Sequence, residues 1–302
     1  MKTQEKKSLK TILLALVVMA LWGSLYPMSK IGYRVFEIPS GSVPDILMFA
    51  GLRFSFSGVV LCGLAFTRKA KLQKPTGRSI CSILLVGLFS IVFHYAFTYI
   101  GLSSTDSSKT ALIKQLGALV YVCFAFLFFQ NEKYSTLKII AALIGFSGII
   151  AINYKPGGIS FASGDWLIIA ASFCTVAANV VSKRFAAGNS PYWISGISQF
   201  TGGIVLLLAA VIMGAGLPTF TLRSTLVLVY ICAATIVSYT LWYSILEHNS
   251  LSQLLIIKFA EPIFACIFGA LLLGENIFKI QYLLAFLLIC SGILLGSRSE
   301  SK

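Results

Sequence analysis

Apolar positions in this chain come in long blocks broken by short polar clusters. Ten blocks run 11–31, 44–66, 80–101, 107–129, 136–153, 164–185, 191–214, 222–246, 250–273 and 277–296. Each is close to the about 20 residues that carry a helix across a bilayer core roughly 30 Å thick. The connections hold turn-forming residues, as in EIPSGSVP, KLQKPTGR, NYKPGG, AAGNSP and GAGLP. The pattern predicts an all-α integral membrane protein with ten transmembrane helices. It leaves no room for a soluble domain.

Composition agrees. Apolar residues make up 57% of the 302 and charged residues 11%, where a soluble domain carries roughly a quarter charged. The mean hydropathy is +0.88. The net charge of +14 raises the question of nucleic acid, but its distribution answers it. Lys2, Lys6, Lys7 and Lys10 precede the first block, and Arg68, Lys69, Lys71, Lys74 and Arg78 follow the second. Short basic loops beside apolar spans mark the cytoplasmic side of a membrane, not a basic face on a soluble domain. With the N-terminus inside, Lys133, Lys138, Lys183, Arg184, Arg298 and Lys302 join that side. Only Lys30, Arg34, Lys109, Lys155, Arg223 and Lys279 fall on the other. Both termini are therefore expected in the cytoplasm. The basic start and the run TILLALVVMALWG resemble a signal peptide, but the many equal runs that follow favour an uncleaved first span. The seven cysteines all lie inside apolar runs with no close CxxC pair, which reads as small apolar filler.

The chain also repeats itself. YAFTYIGL at 95–102 matches YTLWYSIL at 239–246, LIKQLGA at 112–118 matches IIKFAEP at 256–262, and SGII at 147–150 matches SGIL at 291–294. All three pairs are offset by 144 positions. The expected units are a first five-helix repeat over 10–153 and a second over 164–296, with cytoplasmic tails at 1–9 and 297–302. An odd number of spans per unit inverts the second relative to the first, the symmetry of alternating-access carriers.

The repeat pairs Lys114 with Lys258, each about seven residues into its span and so roughly 10 Å below opposite surfaces. A charge at that depth costs at least a few kcal/mol unless it faces a wet cavity or a partner. Pro262 lacks an N–H and frees the carbonyl of Lys258, which suggests a kink beside Lys258 and Glu261.

ALWGSLYPMSK in the first span, Arg53 in the second and EPIFACIFGALLLGE in the ninth resemble the EamA-type members of the drug/metabolite transporter superfamily. The resemblance covers nearly the whole chain. It is carried best by Trp22-Gly23-Ser24 and by Pro262 followed by Gly274-Glu275. The chain departs from the family in lacking a mid-helix proline in span four. The resemblance implies a central cavity lined by helices one to four and six to nine, with five and ten peripheral. It also implies a plasma-membrane exporter or importer of metabolites, and the symmetric lysines resemble those of organophosphate translocators in the same superfamily.

Each candidate residue has a plain alternative. Lys114 and Lys258 are expected to coordinate an anion in the cavity; the alternative is snorkelling to the interface. Glu261 either pairs with Lys258, three residues earlier, or acts as a protonatable coupling group. Arg53 either meets a substrate carboxylate or braces span two. Tyr95 with Tyr99, and Tyr239 with Tyr243, share helix faces; with Trp22, Tyr26 and Trp242 they either line the cavity or simply pack. His94 is a proton-relay candidate. Glu132 and Glu275 are expected to cap loops, and Gly23, Gly58, Gly145, Gly148, Gly202 and Gly203 to let helices approach.

The expected function is secondary active transport, with export favoured, of a small anionic or zwitterionic metabolite such as an amino acid. Multidrug or organic-cation export and organophosphate-type exchange are the alternatives. An intramembrane enzyme is disfavoured, since no HExxH, paired membrane aspartates or serine–histidine set occurs at suitable depth. No cofactor or metal is expected. The partners are a small molecule and the lipid bilayer, with the chain a monomer or homodimer.

Overall fold

The computed structural model describes residues 2–67, 75–130, 134–155, 157–185, 189–246, 257–258 and 260–298. Among the described residues the fold is helical, apart from one small hairpin. Helix α1 spans Lys2–Val35 and α2 Val43–Thr67. α3 (Gly77–Gly87) passes through a π-helical turn, Leu88–Phe93, into α4 (His94–Leu102). α5 (Ser107–Lys114), α6 (Leu116–Cys123) and α7 (Ala125–Phe128) follow, then α8 (Thr136–Ile152). After the hairpin come α9 (Ser163–Phe185), α10 (Pro191–Ile212), α11 (Leu222–Leu246), α12 (Ala260–Leu273) and α13 (Ile280–Arg298).

Among the described residues, six helical stretches are long and apolar enough to cross a membrane: Thr11–Val35, Val43–Thr67, Ser79–Leu102, Ser163–Arg184, Pro191–Ile212 and Leu222–Trp242. Thr136–Ile152, Ala260–Leu273 and Ile280–Leu295 are shorter apolar helices. Their outward faces are apolar, with Phe56, Leu143, Leu208 and Leu271 at least half exposed, as lipid contact requires.

Several expectations are refined. The block 107–129 is three helical segments, with breaks at Gln115 and Phe124. Helix α1 starts at Lys2, inside the expected tail 1–9, in keeping with the good helix propensity of Glu and Lys. NYKPGG is more than a turn: Tyr154 pairs with Ile159 and Lys155 with Gly158 in β1 (Tyr154–Lys155) and β2 (Gly158–Ile159). Gly157 and Gly158 hold φ of 106° and 130°, backbone that glycine adopts without penalty. Lys138, expected at an aqueous surface, is buried in the first turn of α8. Pro262 falls in the first turn of α12, where a missing N–H is tolerated. Phe259, at the expected kink, lies outside the described residues, as do the start of the ninth block (250–256) and the basic loop 68–74.

Two large apolar clusters, with three smaller ones among the described residues, hold the helices together. One joins α5, α6, α8, α9 and α13 through Leu112, Leu119, Ile149, Ile168 and Ile289. The other joins α1, α2, α4, α10 and α11 through Tyr33, Phe49, Tyr99, Leu206 and Ile231. Close approach depends on absent side chains. A Cβ on Gly58 of α2 would press into the backbone of Phe200, and one on Gly203 of α10 into that of Ser55. The seam continues where Gly51 faces Leu207 and Gly196 faces Cys62. Helices α8 and α13 meet similarly: a Cβ on Gly292 would lie 2.7 Å from the Ala141 carbonyl, and one on Gly148 2.9 Å from that of Ala285.

Gly58→Val is expected to destabilise the protein by about 1–3 kcal/mol through overpacking, lowering the thermal unfolding midpoint in detergent. Gly63→Val is expected to leave it unchanged, because nothing lies within 4 Å of a Cβ there.

Candidate functional site

Between the two clusters lies a cavity of about 240 Å³. Helix α1 contributes Trp22, Leu25, Tyr26 and Ser29, the i, i+3, i+4 and i+7 positions of one face. Helix α4 contributes His94, Tyr95, Thr98, Tyr99 and Leu102, a stripe that begins directly after the π-helical turn. Such a turn adds a residue to the local period and resets the face that follows. Lys114, Gln115 and Ala118 enter at the α5–α6 break, Thr175 and Asn179 from α9, and Tyr239 from α11. Arg53, Lys258 and Glu261 complete the polar wall. Ile293 of α13 also reaches the cavity, so this last helix is less peripheral than the resemblance implies.

Glycine sets the geometry on one side. A Cβ on Gly23 would stand 2.8 Å from the Ala265 nitrogen, so α1 and α12 touch backbone to backbone. That approach lets Tyr26 Oη donate to Glu261 Oε1 at 2.9 Å. Glu261 is thus held by α1, and it makes no ion pair with Lys258 of the kind its i, i+3 spacing allows. The two lysines lie over aromatic faces. Lys114 Nζ is 5.2 Å from the Tyr26 ring and 5.6 Å from that of Tyr95. Lys258 Nζ is 5.9 Å from Trp22 and 5.8 Å from Trp242. Trp242 does not line the cavity itself but backs Trp22, with ring centroids 5.3 Å apart. Such contacts stabilise an ammonium by about 0.5–2 kcal/mol, less than burying a charge costs.

Arg53 is a strut. Buried at 1% exposure, it donates through Nε and Nη2 to Thr235 Oγ1 of α11 at 3.2 and 2.8 Å, and through Nη1 to Tyr99 Oη of α4. Tyr99 Oη also accepts from Ser29 of α1 at 3.2 Å. His94 is likewise engaged: its Nδ1 is 2.8 Å from the Ala171 carbonyl and 2.9 Å from Thr175 Oγ1, which ties α4 to α9.

A second polar cluster sits where α5 begins and α12 ends. Glu275 Oε1 accepts from Ser107 N and Oγ, both at 2.7 Å; Oε2 accepts from Ser108 N at 2.9 Å and Oγ at 2.6 Å. The carboxylate thus caps α5, whose first N–H groups lack intrahelical partners and carry the positive end of the helix dipole. Lys30 Nζ is 3.9 Å from Glu275 Oε1 and donates to the Thr105 carbonyl at 2.8 Å. Lys109 pairs with buried Asp165 at 2.7 Å, and Tyr282 donates to Asp106 at 3.3 Å. Glu275 lies beyond the end of α12. Burial alone would raise its carboxyl, but the hydrogen bonds from Ser108 and Ser107 outweigh it and hold the group below its ordinary 4.5.

The sequence-expected residues therefore gather in one place: Lys114, Lys258, Arg53, Trp22, Tyr26, Tyr95, Tyr239, Glu261 and His94 all line the cavity. The side chain of Tyr243, and Glu132, lie outside what is described. Sequence reasoning passed over Gln115, Thr175 and Asn179. The last two stand four apart in an apolar run, a spacing that signals one polar helix face. It also passed over Ser107, Ser108 and Lys30 as partners of Glu275.

Long apolar helices packed around a cavity with a polar wall define a multi-pass membrane protein. The chain belongs to the EamA-like transporter family, whose sequence model matches residues 9–154 and again 162–297. It is therefore a membrane transporter of the drug/metabolite transporter type. It is 26% identical over 269 residues to an uncharacterized inner membrane transporter, YedA, of Escherichia coli K12, covering 87% of this chain and 83% of YedA. It is 24% identical over 294 residues to a probable amino-acid metabolite efflux pump of the same organism, covering 93% of each. A solved crystal structure superposes with a TM-score of 0.64 at 18% identity, covering 97% of this chain and 99% of the other. That likeness concerns the fold alone.

Glu275→Gln is expected to lower the unfolding midpoint at pH 7, at a loss of about 2 kcal/mol, since hydrogen bonds to a charged group contribute about 1.5–3 kcal/mol each. A lowered carboxyl stabilises the fold above its unfolded value, and that stability fades as pH falls through the folded value. Wild type should therefore lose stability below about pH 4.5 more steeply than Glu275→Gln. Parallel pH profiles would mean that Glu275 is not the group responsible.

Proposed function

We propose that this chain is a secondary active transporter that moves a small anionic or zwitterionic metabolite across the cell membrane by alternating access. One observation carries the reading. Lys114 and Lys258, which occupy matching places in the sequence repeat, meet in one cavity, and neither forms an ion pair among the described residues. Two half-buried ammonium groups with no direct ion-pair partner leave the cavity wall with an excess of positive charge, which is costly where water is scarce. A ligand that brings negative charge relieves the cost and so binds there. The cavity is smaller than the roughly 300–1,000 Å³ typical of sites for drug-sized ligands, which favours a metabolite. The similarity to a probable amino-acid metabolite efflux pump points the same way.

The inverted five-helix repeats, 10–153 and 164–296, are part of the proposal. The family match in two successive stretches supports them. So does the closest helix packing, which joins α2 to α10 and α8 to α13, corresponding members of the two units. In this reading the basic ends of the chain face the cytoplasm. The cluster around Glu275 fastens α1, α5 and α12 at one end of the pathway, and transport requires it to part and re-form.

Aromatic faces beside Glu261 are the features an organic-cation exporter would use, so the test must separate the two. In counterflow with purified protein in liposomes, amino acids or other small anions should exchange. Lys114→Ala and Lys258→Ala should each lower that exchange at least tenfold, while Lys279→Ala, on an exposed loop, should not. Flux of organic cations that survives both cavity substitutions would overturn the anion preference. Chemical conversion of a substrate without flux would overturn transport itself.

A further inference from the structure

The cavity wall carries three cations and one carboxylate, and these are not equivalent. Arg53 is consumed: its guanidinium is bound by Thr235 and Tyr99. Lys114 and Lys258 make contact with aromatic faces but, among the described residues, donate no hydrogen bond. Glu261 uses Oε1 for Tyr26, and its Oε2 has no partner among them. What remains for a ligand is two positive groups and one negative group. Both lysines reach the same helix, Lys114 lying over Tyr26 and Lys258 over Trp22. These two residues of α1 are one helical turn apart on one face.

We infer that the cavity takes a small amino-dicarboxylic acid, with one carboxylate at Lys114, the other at Lys258, and its ammonium at Glu261. The inference deepens the transporter reading and rests on it for direction of use, but it concerns binding first. A ligand with one carboxylate leaves a lysine unanswered. A dicarboxylate without an amine leaves Glu261 facing two acidic groups. Unpaired charge in a partly desolvated site is penalised more than a surface pair is rewarded. Only the three-charge ligand neutralises the wall group by group.

The test pairs a binding readout with a flux readout on the full chain. L-glutamate and L-aspartate should raise the unfolding midpoint of detergent-purified protein at concentrations at least tenfold below those needed for succinate or L-alanine. Both should also exchange in liposome counterflow. Lys114→Ala and Lys258→Ala should each cut the preference for L-glutamate over L-alanine at least tenfold. Glu261→Gln should instead cut the preference for L-glutamate over succinate. Each variant's midpoint without ligand shows that it is folded, and Lys114→Gln and Lys258→Gln, which also remove the charge, replace the alanine variants wherever those are not. Stabilisation by L-alanine or an organic cation with none by the acidic amino acids would overturn the inference and leave transport standing. So would a preference for L-glutamate over succinate that Glu261→Gln leaves intact. Stabilisation by L-glutamate with no flux of any solute would sustain the inference and overturn the transporter reading.

Discussion

The carboxylate of Glu275 at the start of α5 is the contact on which the cavity's geometry rests. An eight-residue helix is too short to be stable alone, and its first N–H groups need acceptors wherever water is scarce. Glu275 provides both oxygens, and Lys30 offsets the charge from α1. At about 1.5 Å per residue, α5 then reaches some 12 Å inward and ends at Lys114. The position of one cavity cation is therefore tied to an acid just past the end of a different helix, remote in sequence. The tie also joins α1, α5 and α12, three of the elements that carry the polar wall.

The interior keeps its charges by different means. Arg53 is surrounded by hydroxyl groups and rings and becomes part of the scaffold, linking α2, α4 and α11. Among the described residues, Lys114 and Lys258 receive only ring faces, which ease an ammonium's loss of water without replacing it. Glu261 receives one phenol. A guanidinium that is fully answered holds helices together, while ammonium groups that are half answered keep an appetite for a ligand. The same charge thus has two roles, distinguished by how many partners surround it.

How much was readable in the sequence follows from the range of each interaction. The helical blocks were legible because hydropathy is local. The convergence of Lys114 with Lys258 was legible because the repeat carries three-dimensional information along one dimension, and it brought Tyr95 and Tyr239 with it. Glu261 shows the limit. Its spacing to Lys258 suggested a local pair, yet the partner is Tyr26, 235 residues away, since Gly23 lets α1 come closer than any neighbour on the same helix. The break at Gln115 and the π-helical turn before His94 were hidden for a related reason. Both are small changes of backbone path inside uniformly apolar text, and hydropathy does not register them. The Glu275 contacts were half legible: a role at a helix end was expected, but not that the helix would be α5.

The glycine seam between α2 and α10 bears on how the molecule can move. Where main chains touch with no side chains between them, sliding or tilting would open a void or force a collision, so the two helices travel together. They come from opposite halves of the chain. Any rocking motion must then be carried by partners drawn from both halves, with flexure left to the places where the helical path is already interrupted: Pro27, the turn at Leu88–Phe93, and Gln115. Each of these lies at or next to a residue of the cavity wall: Pro27 follows Tyr26, the turn leads into His94, and Gln115 lines the cavity itself.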